Sequence, residues 1–115
     1  MTVSECPTGG SRGGDVAMSR VFRVLGKRWN GVLIAALTGG PAGFAELRRA
    51  VAGISDSVLS DRLVELADEG LVLRSVQEGP PVSVSYRLSE AGRALGPALD
   101  ELRSWASDHL ADARP

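Results

Sequence analysis

The sequence is poor in cysteine, in aromatic residues and in long apolar runs, and each shortage excludes something. A single cysteine, Cys6, excludes an internal disulfide, and the expectation is a protein of a reducing compartment, the cytoplasm. The longest apolar run, Val32-Leu33-Ile34-Ala35-Ala36-Leu37, falls far short of the roughly 20 residues a membrane span needs, so no membrane partner is expected. The N-terminal stretch holds no apolar block behind a basic start, and no secretory leader is expected. His109 has no second His or Cys at ligand spacing, which argues against zinc. Gly9-Gly10 and Gly13-Gly14 read as linker glycines rather than as a phosphate cradle. There is no Ser-His-Asp order with supporting context and no pair of carboxylates in an apolar setting. An enzyme is therefore not expected, nor a cofactor.

Net charge is also missing: 13 basic residues stand against 14 acidic ones. Overall charge thus makes no case for nucleic acid, but its distribution is uneven. Between Arg12 and Arg62, the basic residues Arg12, Arg20, Arg23, Lys27, Arg28, Arg48, Arg49 and Arg62 face only Asp15, Glu46, Asp56 and Asp61. That half is the expected side for an anionic ligand. At 115 residues the chain is one domain by length. A chain this small buries only about 60–70% of its unfolded surface, so a partner subunit would help it.

Residues 1–14, rich in glycine and without apolar periodicity, read as a flexible arm ahead of a domain over residues 15–115. Asp15 is a candidate N-cap, and Met18, Val21, Phe22, Leu25 and Trp29 then recur at helical spacing, giving a helix over about 16–28. A second helix over 30–37 stops at Thr38-Gly39-Gly40-Pro41. Phe44, Leu47 and Val51 mark one face of a short helix. After the break Ala52-Gly53-Ile54, Ser55 is an N-cap, Asp56 suits the positive end of the dipole, and Ile54 with Leu59 has hydrophobic-staple spacing. Val58, Leu59, Leu63 and Leu66 continue that helix until Gly70 ends it. Two helices joined by a short Gly-containing turn form a helix-turn-helix. Val82, Val84, Tyr86 and Leu88 alternate with polar residues, and with residues 71–76 and the Gly79-Pro80-Pro81 tip they predict a β-hairpin. Ser89-Glu90 caps a further helix, and Pro97 suits the first turn of a last one over about 97–112. The expected class is α+β and mainly helical: a winged helix-turn-helix with a two-stranded wing and a terminal helix.

At this point the residues match a family. Gly26-Lys27-Arg28-Trp29, Leu33-Ile34, Leu37, Gly40-Pro41, Phe44-Ala45-Glu46-Leu47-Arg48-Arg49, Gly53-Ile54-Ser55, Leu59-Ser60 and Arg62-Leu63 stand in register. So do Glu69-Gly70-Leu71-Val72, Arg74, Pro81, Val84, Tyr86-Arg87-Leu88-Ser89, Gly92, Pro97 and Leu99. In these the chain resembles the HxlR-type winged-helix transcription regulators of bacteria, from about Val16 to Trp105. The resemblance implies a homodimer that binds an operator in double-stranded DNA, a recognition helix over 55–69, a wing over 75–85, and dimer contacts from the first and last helices.

Three positions depart from the family pattern. Its usual Cys-Pro pair, thirteen residues before the Trp, falls here on Val16-Ala17, while Cys6-Pro7 lies ten residues further upstream. The basic residue often found before the Phe is Gly43, and Pro81-Val82-Ser83 carries no charge where the wing often does.

On that geometry the expected DNA-binding residues are Lys27, Arg28, Arg48, Arg49, Ser55, Ser57, Ser60, Asp61 and Ser83. Ser hydroxyls bond several base edges and Asp accepts from cytosine N4; the planar fork of arginine suits phosphate. The alternatives stay open: a solvated helix face for Arg48 and Arg49, either of which Glu46 could pair, and a dipole role for Asp56. Arg62 is expected to pair within its helix, with Asp61, Glu65 or Glu69. Trp29 and Phe44 are expected in the core and Tyr86 half-buried, while Val21, Phe22, Leu99, Leu102, Trp105 and Ala106 are the expected dimer contacts. Cys6 is a candidate redox thiol, against the reading of an incidental one, since no clustered positive charge surrounds it in sequence. A small-molecule effector at the dimer seam is left open, as is a different class of function, a winged-helix module that binds a protein.

Overall fold

The computed structural model describes residues 15–111; the arm and Cys6 lie outside them. Asp15 accepts a hydrogen bond from the Met18 amide at 2.9 Å and so opens α1 (Val16–Leu25). The helix ends at Leu25 rather than near residue 28. The Gly26 amide bonds back to the Phe22 carbonyl, and a Cβ at this position would overlap that same oxygen. A short turn leads to α2 (Asn30–Leu37), whose Asn30, Leu33, Ile34 and Leu37 are all buried. Those four stand at i, i+3, i+4 and i+7 and so share one face, while Val32 on the other side is 48% exposed.

The helix-turn-helix follows as α3 (Phe44–Ala50) and α4 (Asp56–Asp68). Leu47, Val51, Ile54, Leu59, Leu63 and Leu66 from this unit join Leu33, Ile34 and Leu37 in one core, closed by Val72 and Leu88. Trp29 and Phe44 sit half-buried at the edge of that core rather than inside it. α4 stops in a Schellman arrangement: the Leu71 amide bonds to the Leu66 carbonyl and the Gly70 amide to the Ala67 carbonyl, both at 3.0 Å. Gly70 stands at φ +79°, a region that costs a side chain about 1 kcal/mol or more. Gly70→Ala is therefore expected to lower unfolding stability by about 1 kcal/mol, measured by urea denaturation, with the fold unchanged.

The wing is larger than two strands. β1 (Ala42–Gly43), β2 (Val72–Gln77) and β3 (Ser83–Leu88) form one antiparallel sheet in the order β1-β3-β2. The two-residue β1 escapes the sequence reading because it is too short for alternation to register; Ala42 pairs with Tyr86 and Gly43 with Ser85. The hairpin register runs from Val72 opposite Leu88 to Gln77 opposite Ser83. Burial fades along it: Val72 and Leu88 are buried, Tyr86 is half-buried, and Val76 and Val82 are exposed, because the tip extends beyond the core. Ser89 caps α5 (Glu90–Ala94), accepting from the Gly92 amide at 3.1 Å, and α6 (Gly96–His109) follows with Pro97 in its first turn.

Candidate nucleic-acid interface

The start of α4 is fixed by its own turn. Ser55 Oγ accepts from the Val58 amide at 3.2 Å, so that hydroxyl is engaged in capping. Ile54 and Leu59, one residue before the cap and four after, are both buried and set the entry angle of the chain. Gly53, at φ +93°, makes the break between the helices beneath the Trp29 ring. With Leu59, Leu63 and Leu66 inward, the opposite face of α4 presents Ser57, Ser60, Asp61, Val64 and Asp68 to solvent. The sequence reading passes over Val64, which is 59% exposed in the middle of this stripe. Projecting the helix from its three buried leucines would have found it.

The basic residues expected near phosphate divide into paired and open ones. Arg48 Nη1 donates to both carboxylate oxygens of Asp56, at 2.8 and 3.1 Å. This ties the end of α3 to the start of α4 across solvent and leaves Glu46 to a different task, accepting from the Gly43 amide at 2.8 Å. The pairing of Glu46 with Arg48 or Arg49 is thus replaced by these two contacts. Arg49 is exposed and makes no ion pair among the described residues. Arg28 lies over the Trp29 ring, 4.6 Å from its centre. Ser83 stands exposed at the start of β3, opposite Gln77. The hairpin is not uncharged, since Arg74 and Arg87 lie on its strands, and Arg87 donates to Ser75 Oγ at 2.9 Å.

Lys27 is held differently. Its Nζ lies 2.8 Å from Glu65, which also takes Arg62 Nη1 at 3.1 Å and Asn30 Nδ2 at 3.5 Å. Arg62 therefore pairs within α4, as its spacing predicts. Asn30 is fully buried, and its amide also donates to the Val24 carbonyl at 2.8 Å. The hydrogen bond from Lys27 does most to hold the Glu65 carboxyl below the ordinary carboxylate value. Desolvation pushes the other way; the Asn30 hydrogen bond and the nearby charges of Arg62 and Lys27 add to the lowering. Arg23 on α1 and Glu69, the C-cap of α4, lie 3.4 Å apart and make a second ion pair.

The other faces of α1 and α6 are apolar and uncovered. Val21 and Phe22 on α1, and Leu102 and Trp105 on α6, are exposed, the tryptophan by 52%. Leu99 is half-buried against the core of its own subunit, and Ala106 is half-buried. The Trp105 and His109 rings lie with centres 6.2 Å apart and planes tilted by 34°.

A family model described as HxlR-like helix-turn-helix matches residues 24–114. The chain is 42% identical over 89 residues to the HTH-type transcriptional regulator YodB of Bacillus subtilis (strain 168), a match covering 77% of this chain and 80% of the relative. Among solved structures, the reduced form of YodB from B. subtilis matches with a TM-score of 0.77 and 38% identity, over 84% of this chain and 97% of that one. The redox regulator HypR in its oxidized form matches with a TM-score of 0.76 and 30% identity, over 84% of this chain and 99% of that one. The likeness runs through the helix-turn-helix, the hairpin and the last helix, and the chain belongs to the HxlR-like helix-turn-helix family of transcriptional regulators.

Proposed function

We propose that the chain acts as a homodimer that reads an inverted-repeat operator in double-stranded DNA by laying α4 in the major groove. The observation that carries this is the outward stripe of α4, with Ser57, Ser60, Asp61 and Val64 free of the core. Hydroxyls bond base edges, Asp61 suits cytosine N4, and the Val64 methyls suit the thymine methyl. Arg49, Arg28 and the hairpin around Ser83 and Arg87 set the register on phosphate. Arg48 and Lys27 reach phosphate only by leaving Asp56 and Glu65, so they contribute less than their number suggests. Val21, Phe22, Leu102 and Trp105 supply an apolar face for the second copy, joined by Leu99 and Ala106 at its edge. The chain is read as a regulator of the cytoplasm rather than an enzyme.

The test is a gel-shift series across salt. With few open cations the affinity is expected to fall by a shallow slope, roughly −0.9 in log–log terms per phosphate neutralised. Absence of binding even at low ionic strength contradicts the reading. Asp56→Asn removes a carboxylate from the groove end of α4 and releases Arg48. It is expected to raise DNA affinity about tenfold at low salt, with the gain shrinking as salt rises. Trp105→Asp is expected to shift the chain to monomer in sedimentation.

One observation favours a second reading, a module that binds protein: Asp56, Asp61 and Asp68 make the exposed side of α4 acidic. Charge reversal at Arg48 and Arg49 separates the two, because it should abolish DNA binding and leave a protein partner bound. The likeness to the redox regulator HypR supports a redox response, for which Cys6 is the one thiol in the sequence. Cys6→Ser should then abolish any diamide-induced change in DNA binding, and an unchanged response removes the thiol from the mechanism.

A further inference from the structure

α1 is held to its own subunit by little apolar contact. Val24 is its one buried residue, and Leu25 packs half-buried beside it. Polar ties at its C-terminal end converge on two carboxylates one turn apart, Glu65 in α4 and Glu69 at its C-cap. Arg23 Nη2 lies 3.4 Å from Glu69 and Lys27 Nζ 2.8 Å from Glu65. The buried Asn30 amide links the Val24 carbonyl, at 2.8 Å, to Glu65, at 3.5 Å. We propose that Glu65 and Glu69 are positioning residues: they fix the angle between α1, which meets the second copy, and α4, which reads DNA, and so determine the half-site spacing that the dimer accepts. This deepens the proposed function and rests on it, since both helices take their roles from that reading.

Two costs support a geometric role. Glu65 occupies Lys27, a cation otherwise open to phosphate. Asn30 is fully buried on the face of α2 that Leu33, Ile34 and Leu37 share, where an apolar side chain would pack without needing partners. Hydrogen bonds and ion pairs hold a direction, whereas apolar contact has none to hold. The leverage is sufficient. Ser57 stands eight residues before Glu65 in α4, about 12 Å along the helix. A pivot of about 15° at the joint carries that end about 3 Å, close to the rise of one base pair.

The test is competition binding of the full chain to three duplexes that carry the same half-sites, chosen from sequences the chain itself selects. One has the preferred spacing, and the others one base pair more or less. The parent chain is expected to prefer its own spacing by about thirtyfold, and combined Glu65→Gln and Glu69→Gln to narrow that to about threefold. Arg23→Lys keeps a cation beside Glu69 and should keep the preference. A merely structural loss lowers affinity for all three duplexes alike, so their ratio reports the angle. If the double variant fails to fold, Glu69→Gln alone, at the exposed cap, should still narrow the preference about twofold. A ratio unchanged in the folded variants, or a parent chain indifferent to spacing, overturns the proposal. So does an altered base preference within the half-site at unchanged spacing, since the carboxylates then shape α4 itself. A chain that selects no sequence ends the proposed function, and the positioning role with it.

Discussion

Replacing Gly92 by alanine is expected to destabilise the domain by about 2 kcal/mol or more, read from urea unfolding at constant m. Gly92 is buried in α5, and an added Cβ would overlap the Leu71 carbonyl oxygen and stand 3.1 Å from Leu88 Cδ2. Neither neighbour can yield cheaply. The Leu71 carbonyl holds the Ser89 amide, and Leu88 is buried in the core opposite Val72. The helix and the base of the hairpin must separate, and the loss falls on packing and hydrogen bonding together. Gly96→Ala serves as the control: a Cβ there meets nothing within 4 Å, at a first helical position where φ is ordinary, and stability should stay within about 0.5 kcal/mol. Equal effects at the two positions would refute the packing argument.

Glu65→Leu is expected to cost about 2 kcal/mol, because it leaves the Lys27, Arg62 and Asn30 donors facing an apolar group. The figure is below that of a fully buried pair, since the Glu65 and Lys27 side chains keep 22% and 46% of their exposure and solvent screens the loss. The same site dictates a pH dependence. The folded-state pKa of Glu65 lies below its unfolded value. Its contribution is therefore fully present above the unfolded carboxylate range and is lost as pH falls through the folded pKa. Between neutral and acid pH, Glu65→Gln should flatten the loss of stability relative to the parent chain. A parallel pair of curves would show that the carboxylate is not linked to folding.

What could be read from the residues alone follows from how local each signal is. The caps at Asp15, Ser55 and Ser89 are visible because the cap and the amide it serves lie three residues apart. The buried face of α4 is visible because Leu59, Leu63 and Leu66 repeat at helical spacing. β1 is not, since two residues carry no period and its partner Tyr86 is more than forty residues away. The pairings of Lys27 with Glu65 and Arg23 with Glu69 are hidden for the same reason, as they join helices distant in sequence. Arg48 illustrates the cost to the site. Its charge is plain in the sequence, yet only the fold shows that Asp56 already holds it.

The central claim is that two copies of α4 read successive turns of a duplex. Selection of bound sequences from a random duplex pool by the purified chain, at low ionic strength, tests it most directly. The account predicts an inverted repeat with half-site centres about 10–10.5 base pairs apart, or a multiple of that, and loss of the motif on combined Ser57→Ala and Ser60→Ala substitution. A pool that gains no common sequence, or a lone asymmetric site unaffected by those substitutions, would contradict it.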